Sequence, residues 1–336
     1  MSEINIRRMA KELNLSISTI SKAVHDSHEI SSETKRKVLD LARHLHYTPN
    51  PYASSLRRKK SNTIAVVIPE VADSYFSLAI NGIEAIAREK EYHVIVYLTH
   101  ENADREASIL EDLSSGRVDG VLMSVSSETK NFEPLKALHA RNIPIVFFDR
   151  ICEEIATATV TTNDFESGYL AAKHLIKCGC RNISYLSIST ELSIINKRME
   201  GYKKAIEDDE NYSHDPEVVA CTNENDSTRK KIRDLLLSME KPDGIIASVE
   251  KLAIPVYEVC HELKITIPQE LKMVCFSNLP TATILNPPLT TINQPAFEMG
   301  KTAAEILFKS LRKRSFQLKD LHKVIPSELI ERESAC

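Results

Sequence analysis

Glycine is scarce in this 336-residue chain, eight residues in all. No G-x-G-x-x-G and no G-x-x-x-x-G-K-[ST] occurs, so the loops that let backbone N–H groups close on a dinucleotide or a triphosphate are absent. A G-x-S-x-G nucleophile elbow and an H-E-x-x-H helix are missing too, and histidines are not grouped with carboxylates at metal-ligand spacing. No catalytic residue, metal ligand or cofactor is expected, and the chain is not read as an enzyme. The longest apolar runs, such as 64–69 and 143–148, fall far short of the ~20 residues that cross a bilayer. Residues 1–8 lack the apolar core of a secretory signal, so a cytoplasmic protein without membrane partners is expected. Seven cysteines, at 152, 178, 180, 221, 260, 275 and 336, are odd in number and scattered. That does not suit a disulfide framework, and no C-x-x-C pair or nearby histidine suggests zinc. The close pair Cys178-Gly179-Cys180 is read as buried, reduced thiols.

Apolar residues make up 42% and charged residues 27%, a balance that builds real cores, and the length suits a small domain joined to a larger two-lobed one. The net charge of −4 hides an uneven split. Residues 1–60 hold twelve Lys/Arg against six Asp/Glu, whereas the other 276 hold 31 against 41. A basic head on an acidic body points to a polyanion-binding module joined to a part that avoids polyanions, although a merely solvated charged face accounts for the charge equally well.

The head reads as three short helices. Ile6, Met9, Ala10 and Leu13 recur at helical spacing after Asn5 as N-cap; Asn14 tolerates the left-handed turn that follows. Ser16 caps a second helix with Ile20 and Val24 inward, and Ser31 caps a third carrying Val38, Leu41, Ala42 and Leu45 on one stripe. Two helices joined by a tight turn match the helix-turn-helix plan, whose second helix lies in the major groove of DNA. Its outward residues are then Ile17, Ser18, Ser21 and Lys22, with Ser16 and Thr19 as short donors for phosphate or for capping. Asn50 and Pro51 can start a further short helix, followed by the basic run 57–60.

From residue 63 the texture becomes βαβ alternation, which implies parallel sheets with helices on both faces. Strands are expected at 63–68, 93–98, 120–124, 143–148, 183–188, 218–221, 244–249 and 273–276. Helices are expected at 76–90, 103–114, 133–141, 167–177, 197–208, 228–239 and 254–263. Asp119-Gly120-Val121-Leu122 is echoed by Asp243-Gly244-Ile245-Ile246, either two similar lobes or a chance likeness of two buried strands. With two lobes, ligand chemistry belongs at the strand carboxyl ends between them.

The stretch Met9-Ala10-Lys11-Glu12-Leu13-Asn14-Leu15-Ser16-Ile17-Ser18-Thr19-Ile20-Ser21-Lys22 resembles the signature of the lactose/galactose-repressor family of bacterial transcription regulators. The likeness continues through Tyr47-Thr48-Pro49-Asn50, Ala53-Ser54-Ser55-Leu56, Phe147-Phe148-Asp149-Arg150, Arg198-Met199-Glu200-Gly201-Tyr202 and Asn293-Gln294-Pro295, in order along essentially the whole chain. It implies an all-α helix-turn-helix head (1–48), a hinge helix and linker (49–62), and a two-lobed α/β body similar to periplasmic binding proteins (63–336). The first lobe would take about 63–162 and 293–324, the second about 163–292 and 325–336. The resemblance also implies roles. Ile17, Ser18 and Lys22 would read bases, and Ser31 and Thr34 would position phosphates. In the hinge, Ala53 and Arg57 would contact DNA, and Leu56 would wedge into the minor groove. Tyr75, Phe76, Asp149, Asn163, Arg198, Glu250 and Ser277 would line an effector pocket. Val249, Ser277 and Leu192 depart from the family pattern, and Leu192 argues against a purine ligand. The implied function is a homodimeric repressor of carbohydrate-utilisation genes that binds a palindromic operator under control of a sugar or sugar derivative. A cytosolic sugar-binding protein, or a regulator without effector sensing, are the alternatives.

Overall fold

The computed structural model describes residues 6–24, 26–45, 47, 60–72, 74–188, 192–210, 212, 215–222, 224–313 and 316–336. The chain divides into two compact units, 1–61 and 62–336.

In the first unit, α1 (Ile6–Glu12), α2 (Ile17–Val24) and α3 (Ser32–His44) enclose a core of Met9, Ala10, Ile20, Ala23, Val38 and Ala42. Asn14 turns the chain at φ 51°, a conformation its short polar side chain tolerates. Both serine caps form: Ser16 Oγ accepts the Thr19 N–H at 3.0 Å and Ser31 Oγ accepts the Thr34 N–H at 3.3 Å. Ala23, rather than Val24, is the fully buried partner of Ile20; Val24 packs half-buried at the rim of the same core.

The second unit runs β1 (Thr63–Ile68), α4 (Ser74–Glu89), β2 (His93–Leu98), α5 (Ala103–Leu113), β3 (Gly120–Met123), α6 (Glu133–Ala140), β4 (Ile145–Phe148) and β5 (Ala158–Thr161). It continues with α7 (Asp164–Lys177), β6 (Ile183–Ser187), α8 (Ser193–Glu207), β7 (Glu217–Ala220), α9 (Asn225–Leu236), β8 (Gly244–Ala247), α10 (Ala253–Leu263) and β9 (Lys272–Phe276). The last elements are β10 (Thr290–Asn293), α11 (Ala296–Arg312), β11 (His322–Val324) and β12 (Glu328–Ile330). Two six-stranded sheets result, ordered β11-β5-β4-β3-β1-β2 and β12-β10-β9-β8-β6-β7. The orders are equivalent strand for strand. All pairings are parallel except β10 with β12.

That equivalence explains the echoed Asp-Gly. Asp119 precedes β3 and its carboxylate accepts the Asn62 N–H just before β1; Asp243 precedes β8 and accepts the Arg181 and Asn182 N–H groups just before β6. In each lobe the aspartate terminates the ladder at the strand amino ends, and the glycine begins a fully buried strand.

The scarce glycines have a second use. A Cβ on Gly82 would lie 2.1 Å from the Phe297 carbonyl oxygen, and one on Gly300 would lie 2.0 Å from that of Ala79, so α4 and α11 cross backbone to backbone. Gly168 and Gly201 do the same for α7 and α8, where a Cβ would lie 2.0 Å from the carbonyls of Arg198 and Phe165 respectively. Four of the eight glycines therefore serve two equivalent helix crossings, one per lobe.

One cysteine reading is corrected. Cys178 is disulfide-bonded to Cys336, with Cα atoms 5.6 Å apart and a sequence separation of 158, while Cys180 is buried and free. The pairing was not readable from spacing because the fold alone brings residue 336 to the end of α7. Among the described residues, no helix is long and apolar enough to cross a membrane.

Candidate functional site

In the head, Ile17 is 48% exposed and Ser18 is exposed, an apolar and a hydroxyl group on the outer side of α2. Thr19, Ser21 and Lys22 are half-buried, and the Lys22 ammonium pairs with Glu29. The hydroxyls of Ser16 and Ser31 are held by Thr19 Oγ1 at 2.8 Å and Thr34 Oγ1 at 2.9 Å, besides their capping bonds. Ala53, Leu56 and Arg57 lie outside the described residues.

In the body, both sheets direct their strand carboxyl ends at one cleft. At the end of β4, Asp149 takes a left-handed backbone (φ 63°) and buries its carboxylate 3.4 Å from Ser124 Oγ. Arg150, the next residue, donates from Nη1 to both Glu101 oxygens at 2.8 and 2.9 Å, and lies 5.9 Å from the Phe76 ring centroid. Burial opposes ionisation of Glu101, but Arg150 and Ser127 overcome it and hold the carboxyl below the ordinary range. The Nε of Arg150 is buried without a hydrogen-bond acceptor among the described residues.

From the second lobe comes Arg198, 2% exposed, on α8. Its Nε donates to Asp164 at 2.8 Å, its Nη1 to the Ser248 carbonyl at 3.0 Å, and its guanidinium lies 4.3 Å from the Phe276 ring centroid. Burial alone would lower its pKa, but Asp164, with Tyr185 and Asp149 adding to it, outweighs burial and raises it. The partner is Asp164 and not the neighbouring Glu200. Tyr75 packs edge-on to Phe76 at 5.3 Å, and its hydroxyl donates to Met299 Sδ inside the first lobe.

Glu250 closes the cleft. Its carboxylate accepts the Ser74 N–H at 2.8 Å and the Ser74 hydroxyl, at the start of α4 in the first lobe. From its own lobe it accepts Ser277 Oγ at 3.3 Å and the Asn278 N–H at 3.4 Å. A carboxylate at a helix N-terminus meets unpaired N–H groups and the positive end of the dipole. The remaining cavity is about 40 Å³, room for two or three waters and far below the size of a ligand pocket.

Six of the seven expected pocket residues therefore line one cleft: Tyr75, Phe76, Asp149, Arg198, Glu250 and Ser277. Asn163 does not. Its Oδ1 accepts Ser327 N–H at 2.8 Å and Ser167 Oγ at 3.1 Å, tying together two segments where the chain passes between lobes. Arg150, Phe276, Asn278 and Gln294 line the cleft without having been singled out. Gln294 immediately follows strand β10 and Arg150 lies two residues past β4, so the strand-end rule carried a residue or two further would have found both. Away from the cleft, His174, Cys178 and Cys336 gather their ligand atoms within 4.8 Å of one another, the two cysteines being joined as the disulfide.

A family model described as bacterial regulatory proteins, lacI family, matches residues 5–50, and one described as a periplasmic binding protein-like domain matches residues 172–335. The ribose operon repressor of Halalkalibacterium halodurans is 30% identical over 98% of this chain and 96% of its own. Among solved structures, the lac repressor dimer bound to operator and the anti-inducer ONPF superposes with a TM-score of 0.85 at 19% identity, covering 99% of each chain. A lacI-family transcriptional regulator from Enterococcus faecium with bound ribose gives 0.73 at 25% identity, over 82% of this chain and 98% of that one.

Proposed function

The chain belongs to the lacI family of bacterial regulatory proteins, and from that premise we propose that it is a cytoplasmic, homodimeric repressor of carbohydrate-utilisation genes whose effector, a sugar or sugar derivative, binds between the lobes of the body. The division of labour would be 1–48 for operator reading, 49–62 for hinge and linker, and 63–336 for sensing and dimerisation. Ile17, Ser18, Ser21 and Lys22 are assigned to the major groove, and Ser16, Thr19, Ser31 and Thr34 to phosphates. Ala53, Leu56 and Arg57 are assigned to the hinge contact. Lys22 must exchange Glu29 for a base or phosphate, which suits a contact made only on the operator. Exposed Ile95 and Val96 on the edge strand β2 support a second copy as partner.

One observation carries the sensing half: Asp149 and Arg150 from one lobe meet Arg198 and Glu250 from the other, beside the faces of Phe76 and Phe276. Sugar hydroxyls take bidentate hydrogen bonds from such groups, and the ring's apolar face packs on an aromatic. The buried Arg150 Nε lies 3.8 Å from Asp149 Oδ2, beyond hydrogen-bond reach, and so has a donor left for a ligand oxygen. The ribose bound to the Enterococcus faecium protein and the ribose operon of the Halalkalibacterium halodurans relative make pentoses the first ligands to try.

Two measurements test the reading. If each head neutralises about four phosphates, the dimer's log–log salt slope for operator binding is about −7; a slope near −1 refutes the head's assignment. Thermal-shift screening against pentoses, hexoses and their phosphates should raise the melting temperature with at least one. No shift with any of them favours a regulator without sugar sensing.

A further inference from the structure

On the far end of α7 from the cleft, three ligand groups meet. His174 and Cys178 are one helical turn apart and share a face. Cys336 reaches them because the two residues before it are anchored. Ser334 and Ala335 are fully buried, Ser334 Oγ donates to the Met273 carbonyl at 2.7 Å and accepts the Thr290 N–H at 2.8 Å, and the Met273 N–H donates to the Ser334 carbonyl at 2.8 Å. The third ligand is thus brought in by a rigid segment.

We propose that the reduced protein binds one zinc ion through His174 Nε2, Cys178 Sγ and Cys336 Sγ, and that the disulfide is the metal-free, oxidised form of the same site. Zinc bonds of about 2.3 Å to sulfur and 2.0–2.1 Å to nitrogen at a tetrahedral angle put S and N about 3.6 Å apart. Cys178 Sγ and His174 Nε2 are 3.7 Å apart. The other ring nitrogen, Nδ1, is 3.6 Å from Glu331 Oε1, the outer carboxylate that typically orients a metal-bound imidazole. Two thiolates and an imidazole select zinc over magnesium or calcium. No fourth protein ligand gathers there among the described residues, so water completes the tetrahedron. Cys178 is half-buried and Cys336 exposed, which leaves the metal open to solvent and to small oxidants.

Conversion between the two forms balances with a low-molecular-weight disulfide as oxidant. The two metal-bound thiolates give up two electrons and form the Sγ–Sγ bond. The oxidant's S–S bond breaks to two thiolates, and Zn²⁺ and the imidazole are released.

The test uses the full-length protein, reduced with a phosphine and titrated with zinc against a chromophoric chelator. One zinc per chain is expected for the reduced wild type, none after oxidation, and none for Cys336→Ser, compared with wild type under the same reducing conditions so that neither carries the disulfide. Cobalt(II) should give a thiolate-to-metal charge-transfer band in the wild type that Cys336→Ser and His174→Gln both lose. Zinc uptake by reduced wild type no greater than by Cys336→Ser, or zinc retained after oxidation, would overturn the proposal.

Discussion

Replacing Arg198 by methionine removes the cation from the most deeply buried ion pair among the described residues of the body and leaves its partner behind. Arg198 is 2% exposed and Asp164 3%, with 2.8 Å between Nε and Oδ1. Stranding a buried carboxylate in this way costs about 3–5 kcal/mol. At roughly 2–4 °C per kcal/mol for a lobe of this size, the melting temperature should fall by about 6–20 °C. The Asp164→Asn change, added to Arg198→Met, removes the stranded charge while keeping the shape, and should recover at least ~2 kcal/mol. Denaturant unfolding of wild type, both single variants and the double variant gives the coupling energy directly. If Arg198→Met costs less than about 1 kcal/mol, or Asp164→Asn fails to rescue it, the pair does not hold the lobe as described. The rescued double variant then serves a second purpose: it should bind operator with wild-type affinity yet ignore every sugar that shifts the wild type, because the cleft has lost its guanidinium and the head is untouched.

Three further outcomes are expected. Gly168→Ala places a methyl group 2.0 Å from the Arg198 carbonyl, so α7 and α8 must separate; the variant should melt well below wild type, whereas Gly116→Ala, at an open turn, carries only the milder strain of its positive φ. Burial pushes the Glu106 carboxyl above its ordinary pKa, so its ionised form is the costly one, and stability is lost as pH rises from the unfolded pKa through the folded one. The advantage of Glu106→Gln over wild type should therefore grow from pH 4 to pH 8 in parallel urea titrations, and the opposite trend would contradict the burial argument. Glu250→Ala removes the acceptor of the Ser74 amide, which hydrogen-exchange mass spectrometry should report as faster exchange at the start of α4; unchanged protection there would mean that the carboxylate does not hold the lobes together.

Local features were legible wherever a side chain governs local backbone. Ser16, Ser31 and Asn14 announced two helix caps and a turn, and β-branched runs announced the buried strands β1, β3, β4, β6, β8 and β9. Helix starts at the cleft were misjudged. α7 begins at Asp164 rather than 167 and α8 at Ser193 rather than 197, because neither Asn163 nor Leu192 caps through its side chain. β11 and β12, three residues each, lack any run or alternation to detect, and β5 is half threonine. α11 escaped notice although eight of its residues are buried, since four of them are Ala or Gly and add little hydropathy. Most of the cleft was reached through family resemblance rather than spacing. The tie between Ser74 and Glu250 spans 176 residues, and only the fold reveals it.

The glycine crossings decide how the body can move. Helices locked carbonyl against Cα cannot slide or roll without collision, so each lobe behaves as a stiff lever arm. The chain passes between the arms three times, after β5, β10 and β11, and those three thin straps are the pivot. A molecule that prises Glu250 from Ser74 would therefore be expected to swing one lobe against the other about those straps rather than deform either.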